Sequence, residues 1–461
     1  MKYLGLPIGA SFKNILIWDG LLELMEHRLA GWKRMYLSKG GRLTLIKSTL
    51  SCLPTYFISL FPIPMAMANR MEKIQRDFLW GSDDSVHKFH LVQWTKVCSP
   101  LKDGGFGLHS IRLFNLALLN KWLWRFASDR ERLWRRLIGE KYGCSVGGWS
   151  TLSICGPYGV SLWRFISKGW NVFSKHIRFR VENGARVSFW HGSWCGDKPL
   201  SLAFPLVFSL SRCKEALVAD YMVDGESVVW NVPFSQAAND WEVEEFSSFF
   251  ARLYGMALRR REDDVMIWTG SKEGVFSVKS MYRLLQGGVG RSFPWRGVWR
   301  SLCPLRVSFF VWETTHGRIL TIDNLCRRRT IIAKWCFLCQ CDGEFVDHVL
   351  LHCPFARGLW SHILCIVNFQ WVMPKTVADV LWSWKRRFRN PFAQVIWQLI
   401  PHCIWWCLWR EQNSRCFEDC SLSLPRVQGI LLSSLFLWVN SVLSCPFLDF
   451  VDFFSFLACL E

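Results

Sequence analysis

Acidic side chains are scarce in this chain: 37 Asp and Glu face 56 Lys and Arg over 461 residues, leaving a net charge of +19. So little negative charge excludes a protein built to repel polyanions. It points first to nucleic acid as a partner and only second to an anionic membrane surface. Tyrosine is also sparse, with 8 residues against 28 Trp and 35 Phe. Most of those large rings belong in a core or between helices, and a minority can stack on bases. The opening MKYLGLPIGASF lacks a basic stretch followed by an apolar one, so it does not read as a secretory leader. An intracellular setting, nuclear or cytoplasmic, follows. There the 19 Cys are core residues, metal ligands or nucleophiles rather than disulfides.

Several catalytic signatures are missing as well. There is no GxSxG elbow, and SKGGRLTLIKS lacks the spacing of a phosphate-binding loop. Adjacent carboxylates occur at Asp83-Asp84 and Asp263-Asp264. Neither pair follows an aromatic-small dipeptide on a hairpin turn, so each reads as a loop or helix-start pair rather than a two-metal centre. His316 has Cys303 and Cys326 near it in sequence, with nothing to tie them into a dyad. No internal repeat or low-complexity tract is present.

What is there is apolar: 51% hydrophobic residues, enough to bury a sizeable core and to form two to four domains. The start reads as a strand end entering a loop. Asp19 is placed to cap a helix whose Leu21, Met25 and Leu29 share one face. Gly40-Gly41 is expected to break the pattern, helix resuming from Arg42 to Leu53 and again from Pro64 to about Leu79. Residues 108–142 read as helical and Trp-rich, ending at Gly147-Gly148, and β-like runs such as Arg186 to Trp190 follow. Residues 366–461 read as helical, with Ile396, Ile400, Ile404 and Leu408 in register and a kink or restart expected at Pro401. Ile430 to Leu448 is uncharged, but its Ser residues, Asn440 and Pro446 favour a buried terminal helix over a membrane span.

From His27 to Lys47 no acidic residue interrupts Arg28, Lys33, Arg34, Lys39, Arg42 and Lys47, with Trp32 and Tyr36 among them. Cations neutralise phosphates and rings pack on sugars or bases, so this is a candidate nucleic-acid-binding face. A solvated basic face over a packed helix is the plainer reading. The sharpest signal is CFLCQCDGEFVDHVLLHC, in which Cys336 and Cys339 form a CxxC knuckle followed by His348 and Cys353. Two thiolates on one turn, an imidazole and a third thiolate can close a tetrahedral zinc site of structural type, with no ligand position open to water. Cys341 can stand in for Cys339 and His352 for His348, and ordinary buried thiols are the alternative to a metal. Arg327, Arg328 and Arg329 lie close by in a basic flank, a combination that suits nucleic acid.

These segments resemble one family. KYLGLPIG (Lys2 to Gly9) is similar to the block just after the palm of non-LTR (LINE-type) reverse transcriptases. LAGWKRMYLSKGGRLTLIKSTLSCLPTYFISLFPIP (Leu29 to Pro64) resembles the thumb-like region of plant LINE elements. MEKIQRDFLWG and KDGGFGLHSIRLFNLALLNKWLWRF continue the likeness. FSVKSMYRLL, WETTHGRILTIDNLCRRR and CFLC…HVLLHC resemble the family's reverse-transcriptase zinc-binding domain. The resemblance implies a mainly α fold with a small mixed α/β middle region. It divides the chain into a thumb-like segment over 1–145, a connector over 146–275, the zinc module over 276–365 and a helical tail over 366–461.

It also implies Zn2+ on Cys336, Cys339, His348 and Cys353, and template or primer handling by the thumb-like helices, in a parent element that copies RNA into DNA. The palm's paired aspartates have no match in this sequence, nor do an endonuclease or a ribonuclease H domain. Gly192 stands where the family often has an acidic residue in a Phe-Trp-x-Asp-x-Trp stretch. The expectation is therefore a truncated, zinc- and nucleic-acid-binding protein without polymerase activity of its own. The alternatives are a module acting with an intact reverse transcriptase in trans, or a non-functional pseudogene product.

Overall fold

The computed structural model describes residues 2–3, 6–7, 14–33, 36–81, 88–153, 162–223, 229–236, 239–256, 262–287, 292–329, 335–444 and 446–459. Among these residues it is mainly helical, with three two-stranded antiparallel ladders. Residues Met1–Leu22, Leu53–Arg70 and Ile111–Gly288 form one compact unit, and Glu23–Cys52, Met71–Ser110 and Val289–Glu461 form a second. Among the described residues no helix is long and apolar enough to cross a membrane.

The first unit is organised around aromatic rings. The helix Ile111–Ser128 packs on Val278–Gln286, and the strand Ile177–Arg180 pairs with Val265–Trp268. Trp163, Phe173, Phe189, Trp190, Trp194, Phe249 and Trp268 are all buried in one cluster. Trp190 stacks on Phe249 with centroids 5.5 Å apart. A buried indole N–H needs an acceptor, and here the chain supplies them locally. Trp190 donates to Ser211 Oγ at 2.9 Å and Trp268 to Ser280 Oγ at 2.7 Å. Asn115, buried on the long helix, accepts from Ile63 N and donates to the carbonyls of Ile58 and Phe61, fixing the turn that precedes Met65–Trp80.

Three local expectations change here. Arg186 to Trp190 is not a strand. Its rings are core residues on a bend, with one isolated bridge between Ser188 and Leu217. The first helical turn begins earlier than Asp19: Asn14 caps a 3-10 turn over Ile15–Trp18, and Asp19 is already inside the helix Asp19–Lys33. Leu21, Met25 and Leu29 do share its buried face. Gly192 sits so close to Ser188 that a Cβ would meet that carbonyl oxygen at 2.6 Å. In this fold the glycine is a packing requirement, not merely a lost carboxylate.

The second unit is built on the helix Leu305–Thr315, buried on nearly every side, and on three long C-terminal helices, Pro354–Ile366, Pro391–Phe417 and Leu424–Val442. Gly40 and Gly41 do not break a helix. They lie in the first turn of Lys39–Leu45, where Ser38 caps by accepting from Gly41 N. Gly40 is small because Leu305 Cδ2 lies 2.3 Å from where its Cβ would stand, so two helices meet there at close range. Ile396, Ile400, Ile404 and Leu408 are buried along one helix that runs through Pro401 without restarting. The uncharged stretch from Ile430 is the body of Leu424–Val442, whose Val427, Leu431, Leu435 and Val439 are buried within the unit.

Candidate metal centre and basic surface

The knuckle is shaped by its backbone. Trp335 bridges to Gly343 in antiparallel fashion, Cys336 N donates to Asp342 O at 2.7 Å, and Gln340 N donates to Cys336 O at 2.8 Å. Gln340 takes a positive φ of 56°, which turns the chain back after Cys339. His348 opens a single π-helical turn, His348–His352, and Cys353 N closes it by donating to His348 O at 2.7 Å. That wider turn delivers His348 and Cys353 to the same side.

The result is a four-ligand cluster. The Sγ atoms of Cys336, Cys339 and Cys353 and a ring nitrogen of His348 all lie within 4.8 Å of one another, and only Cys339 is partly accessible. A tetrahedral zinc thiolate site, with Zn–S near 2.3 Å, has sulfurs roughly 3.8 Å apart. The side chains therefore need only a small contraction to close on an ion, and their chemistry fits one. Hydrogen bonding with Cys353, then burial, pushes the Cys336 thiol up to about 12. The same contact holds Cys353 below the usual thiol range, and His348 is raised chiefly by its contact with Cys336. Crowded sulfurs that share a proton in this way are the groups a cation would displace it from.

The two alternative ligands are turned elsewhere. Cys341 is exposed and directs its Sγ at Cys339 O, and His352 places Nε2 3.0 Å from Lys375 O. Asp342, which sequence reasoning passed over, lies with a carboxylate oxygen 3.6 Å from His348 Nδ1. A carboxylate behind a ligating imidazole fixes its orientation and raises its basicity. The helix Pro391–Phe417 braces the knuckle. Arg415, paired with the buried Glu411 at 2.7 Å, donates from Nη1 to Leu338 O at 3.0 Å. Glu344, also buried, accepts from Ile322 N, Phe337 N and Gln412 Nε2.

Residues 276–360 match the family described as zinc-binding in reverse transcriptase. Over that stretch the chain carries a zinc-binding domain of the reverse-transcriptase type. It is 29% identical over 416 residues to a putative ribonuclease H protein of Arabidopsis thaliana, across 89% of this chain and 66% of that protein, just under two thirds of its length. It is also 27% identical over 154 residues to an uncharacterized mitochondrial protein of the same plant, covering 32% of this chain and 94% of that one.

The described basic residues that the sequence singled out fall into two groups. Arg28, Lys47, Arg327 and Arg329 are exposed, Arg327 with a loose partner in Asp323 at 3.6 Å. Lys39, by contrast, is held by the buried carboxylate of Glu313 and lies over the Trp80 ring. Arg42 donates to Phe78 O, and Arg328 donates to His90 O at 3.1 Å while covering the Phe89 ring. Trp32 packs against Phe78, whereas Tyr36 is fully exposed. The Lys33 side chain and Arg34 lie outside the described residues, as do Asp83 and Asp84.

The other carboxylate pair has structural work. Asp264 is buried and accepts from the backbone N–H groups of Glu182, Gly184 and Arg186, all at 2.9 Å. Asp263 pairs with Arg130 at 3.0 Å. His316 places Nε2 2.8 Å from Gly104 O and stacks on Phe293.

Proposed function

We propose that this chain is a LINE-type, zinc-stabilised nucleic-acid-binding protein whose own residues hold a strand without adding nucleotides to it. The observation that carries the reading is the closed Cys336, Cys339, His348, Cys353 cluster in a chain whose arginines at 327 and 329, close to it in sequence, are exposed. Zn2+ held there by four protein ligands has no vacancy for substrate, so it would serve stability and not catalysis. Nucleotide addition needs a paired-carboxylate site for two metal ions. Asp264, occupied by three backbone donors, is not free to serve in one.

Binding through exposed Arg and Lys is sequence-tolerant and falls steeply with salt. Filter binding of a single-stranded oligonucleotide to the zinc-loaded chain at 50 and 200 mM salt tests this. A steep loss of affinity supports it, and affinity that is absent or indifferent to salt refutes it. Extension of a primer by the purified chain alone would overturn the second half of the reading.

A further inference from the structure

Away from the zinc cluster, the second unit has a recess of about 280 Å³ beside Pro401. Three elements build it: the short helix Trp295–Trp299 with the turn after it, the end of the helix Val377–Ser383, and the middle of Pro391–Phe417. Leu381, Trp384 and Pro401, all buried, give it apolar walls. Ser301 and His402 also line it, but they already serve each other, with Oγ 3.1 Å from Nε2. Three exposed cations, Arg296, Arg300 and Lys385, stand at the recess, and no carboxylate lines it. Each cation is steadied by a ring rather than by an acid. Arg296 and Arg300 both lie 5.4 Å from the centroid of Trp295, and Lys385 lies 5.2 Å from that of Trp382. None of the three has an ion pair among the described residues. A ring attracts a cation without cancelling its charge, so the recess keeps three positive charges in place and uncompensated. Gln398, exposed on the long helix, adds a side-chain amide to the lining.

We infer that this recess seats one unstacked base of a single strand, with the phosphates on either side of it met by Arg296, Arg300 and Lys385. The inference rests on the nucleic-acid-binding reading and names a place on the chain where the strand is held. A base has apolar faces and a polar edge, which suits apolar walls with one free amide beside them. An amide supplies both a donor and an acceptor, and the aliphatic side chain of a protein partner would use neither. The volume falls just under the roughly 300–1,000 Å³ of sites for drug-sized ligands, which favours one ring system over several. Bases stacked inside a duplex cannot enter, so the site is one for single strands.

The experiment uses the full zinc-loaded chain and two strands of equal length, one wholly abasic and the other abasic but for a single adenine. Both carry the same phosphates, so only the base differs. Fluorescence anisotropy should show the adenine strand binding roughly tenfold tighter. Gln398→Trp sets a large ring at an exposed position of the lining and should bring that ratio to one. Gln398→Glu keeps the size of the side chain, should the ring disturb folding, and puts a carboxylate among the three cations. It should weaken both strands and shrink the ratio as well. Arg300→Gln should lower affinity for both strands and reduce the salt slope by about one.

Equal binding of the two strands would overturn the inference, and so would an adenine advantage that survives both Gln398 variants. Equal binding with a steep salt dependence would sink the recess and leave the general nucleic-acid reading standing. Should neither strand nor an ordinary oligonucleotide bind, that reading falls with it. The other occupant to test is an acidic peptide with one leucine as its anchor. If that peptide binds, loses affinity in Gln398→Trp, and adenine confers no advantage, the recess belongs to a protein partner and the inference fails.

Discussion

The indole N–H of Trp384 donates to the carbonyl of Trp397 at 2.7 Å, and the two rings stack with centroids 4.3 Å apart. Trp397 is the residue four before Pro401. A proline has no N–H to return to that carbonyl, and within a helix the gap ordinarily bends or breaks the rod. Here a side chain from the neighbouring turn fills the place of the missing donor. The helix Pro391–Phe417 therefore passes through Pro401 intact.

That arrangement predicts a coupled pair of effects. Trp384→Phe keeps most of the stacking and leaves the Trp397 carbonyl unsatisfied, which should cost about 1–3 kcal/mol. Pro401→Ala supplies a backbone donor to the same carbonyl, so the Trp384→Phe penalty should shrink in that background. Urea unfolding of the four proteins in a double-mutant cycle measures it. Additive penalties would show that the indole's hydrogen bond is not what compensates for the proline.

The zinc centre predicts a two-part melt. Free energies of zinc binding in small modules are on the order of 10 kcal/mol, comparable with the whole stability of a domain. Chelation, or Cys336→Ser, should therefore lower the transition of the second unit by tens of degrees and leave that of the aromatic unit in place. Metal analysis should give one zinc per chain, retained in Cys341→Ser and His352→Gln because those side chains point away from the cluster. Full zinc content after Cys336→Ser would refute this ligand set.

What could be read from the sequence followed the range of the interaction. The CxxC knuckle and the following His348 and Cys353 lie within 18 residues, and the Ile396 to Leu408 stripe is a matter of helical period. Both are local and both were legible. Gly40-Gly41 misled because the reason for Gly40 is a leucine far along the chain, at position 305. Arg186 to Trp190 misled because β-favouring rings also suit a bent core segment. Asp342 behind His348 and Trp384 beneath Trp397 are tertiary pairings, and no spacing rule announces them.

Lys39 was part of an unbroken basic run, yet its partner is Glu313, whose carboxyl is 7% exposed. Burial raises that carboxyl's pKa, and the Lys39 charge opposes the rise. Lys39→Met should therefore act first on stability, costing about 2 kcal/mol for a partly exposed cation that leaves a buried acid alone. Adding Glu313→Leu should recover much of it. Arg28→Gln, at an exposed position with no ion pair among the described residues, should leave Tm unchanged and reduce the salt slope of nucleic-acid binding by about one. Equal effects of Lys39→Met and Arg28→Gln on binding, with neither affecting Tm, would contradict this division.

His402 sets a pH dependence with a defined sign. Burial lowers its pKa from 6.5 to about 4, while Nδ1 donates to Gln398 O and Nε2 faces Ser301 Oγ. Below pH 6.5 the unfolded chain binds a proton at this site and the folded chain does not, until the pH reaches about 4. Stability should therefore fall with acidification across that window, at about 1.4 kcal/mol per pH unit and on the order of 3 kcal/mol in all. His402→Gln removes the titration. The variant is expected to be less stable at pH 7 and to close the gap as pH falls. Zinc release on acidification is common to both proteins and cancels in the difference. A gap that stays constant between pH 7 and 4.5 in denaturant melts would show that His402 takes up its proton without leaving the core.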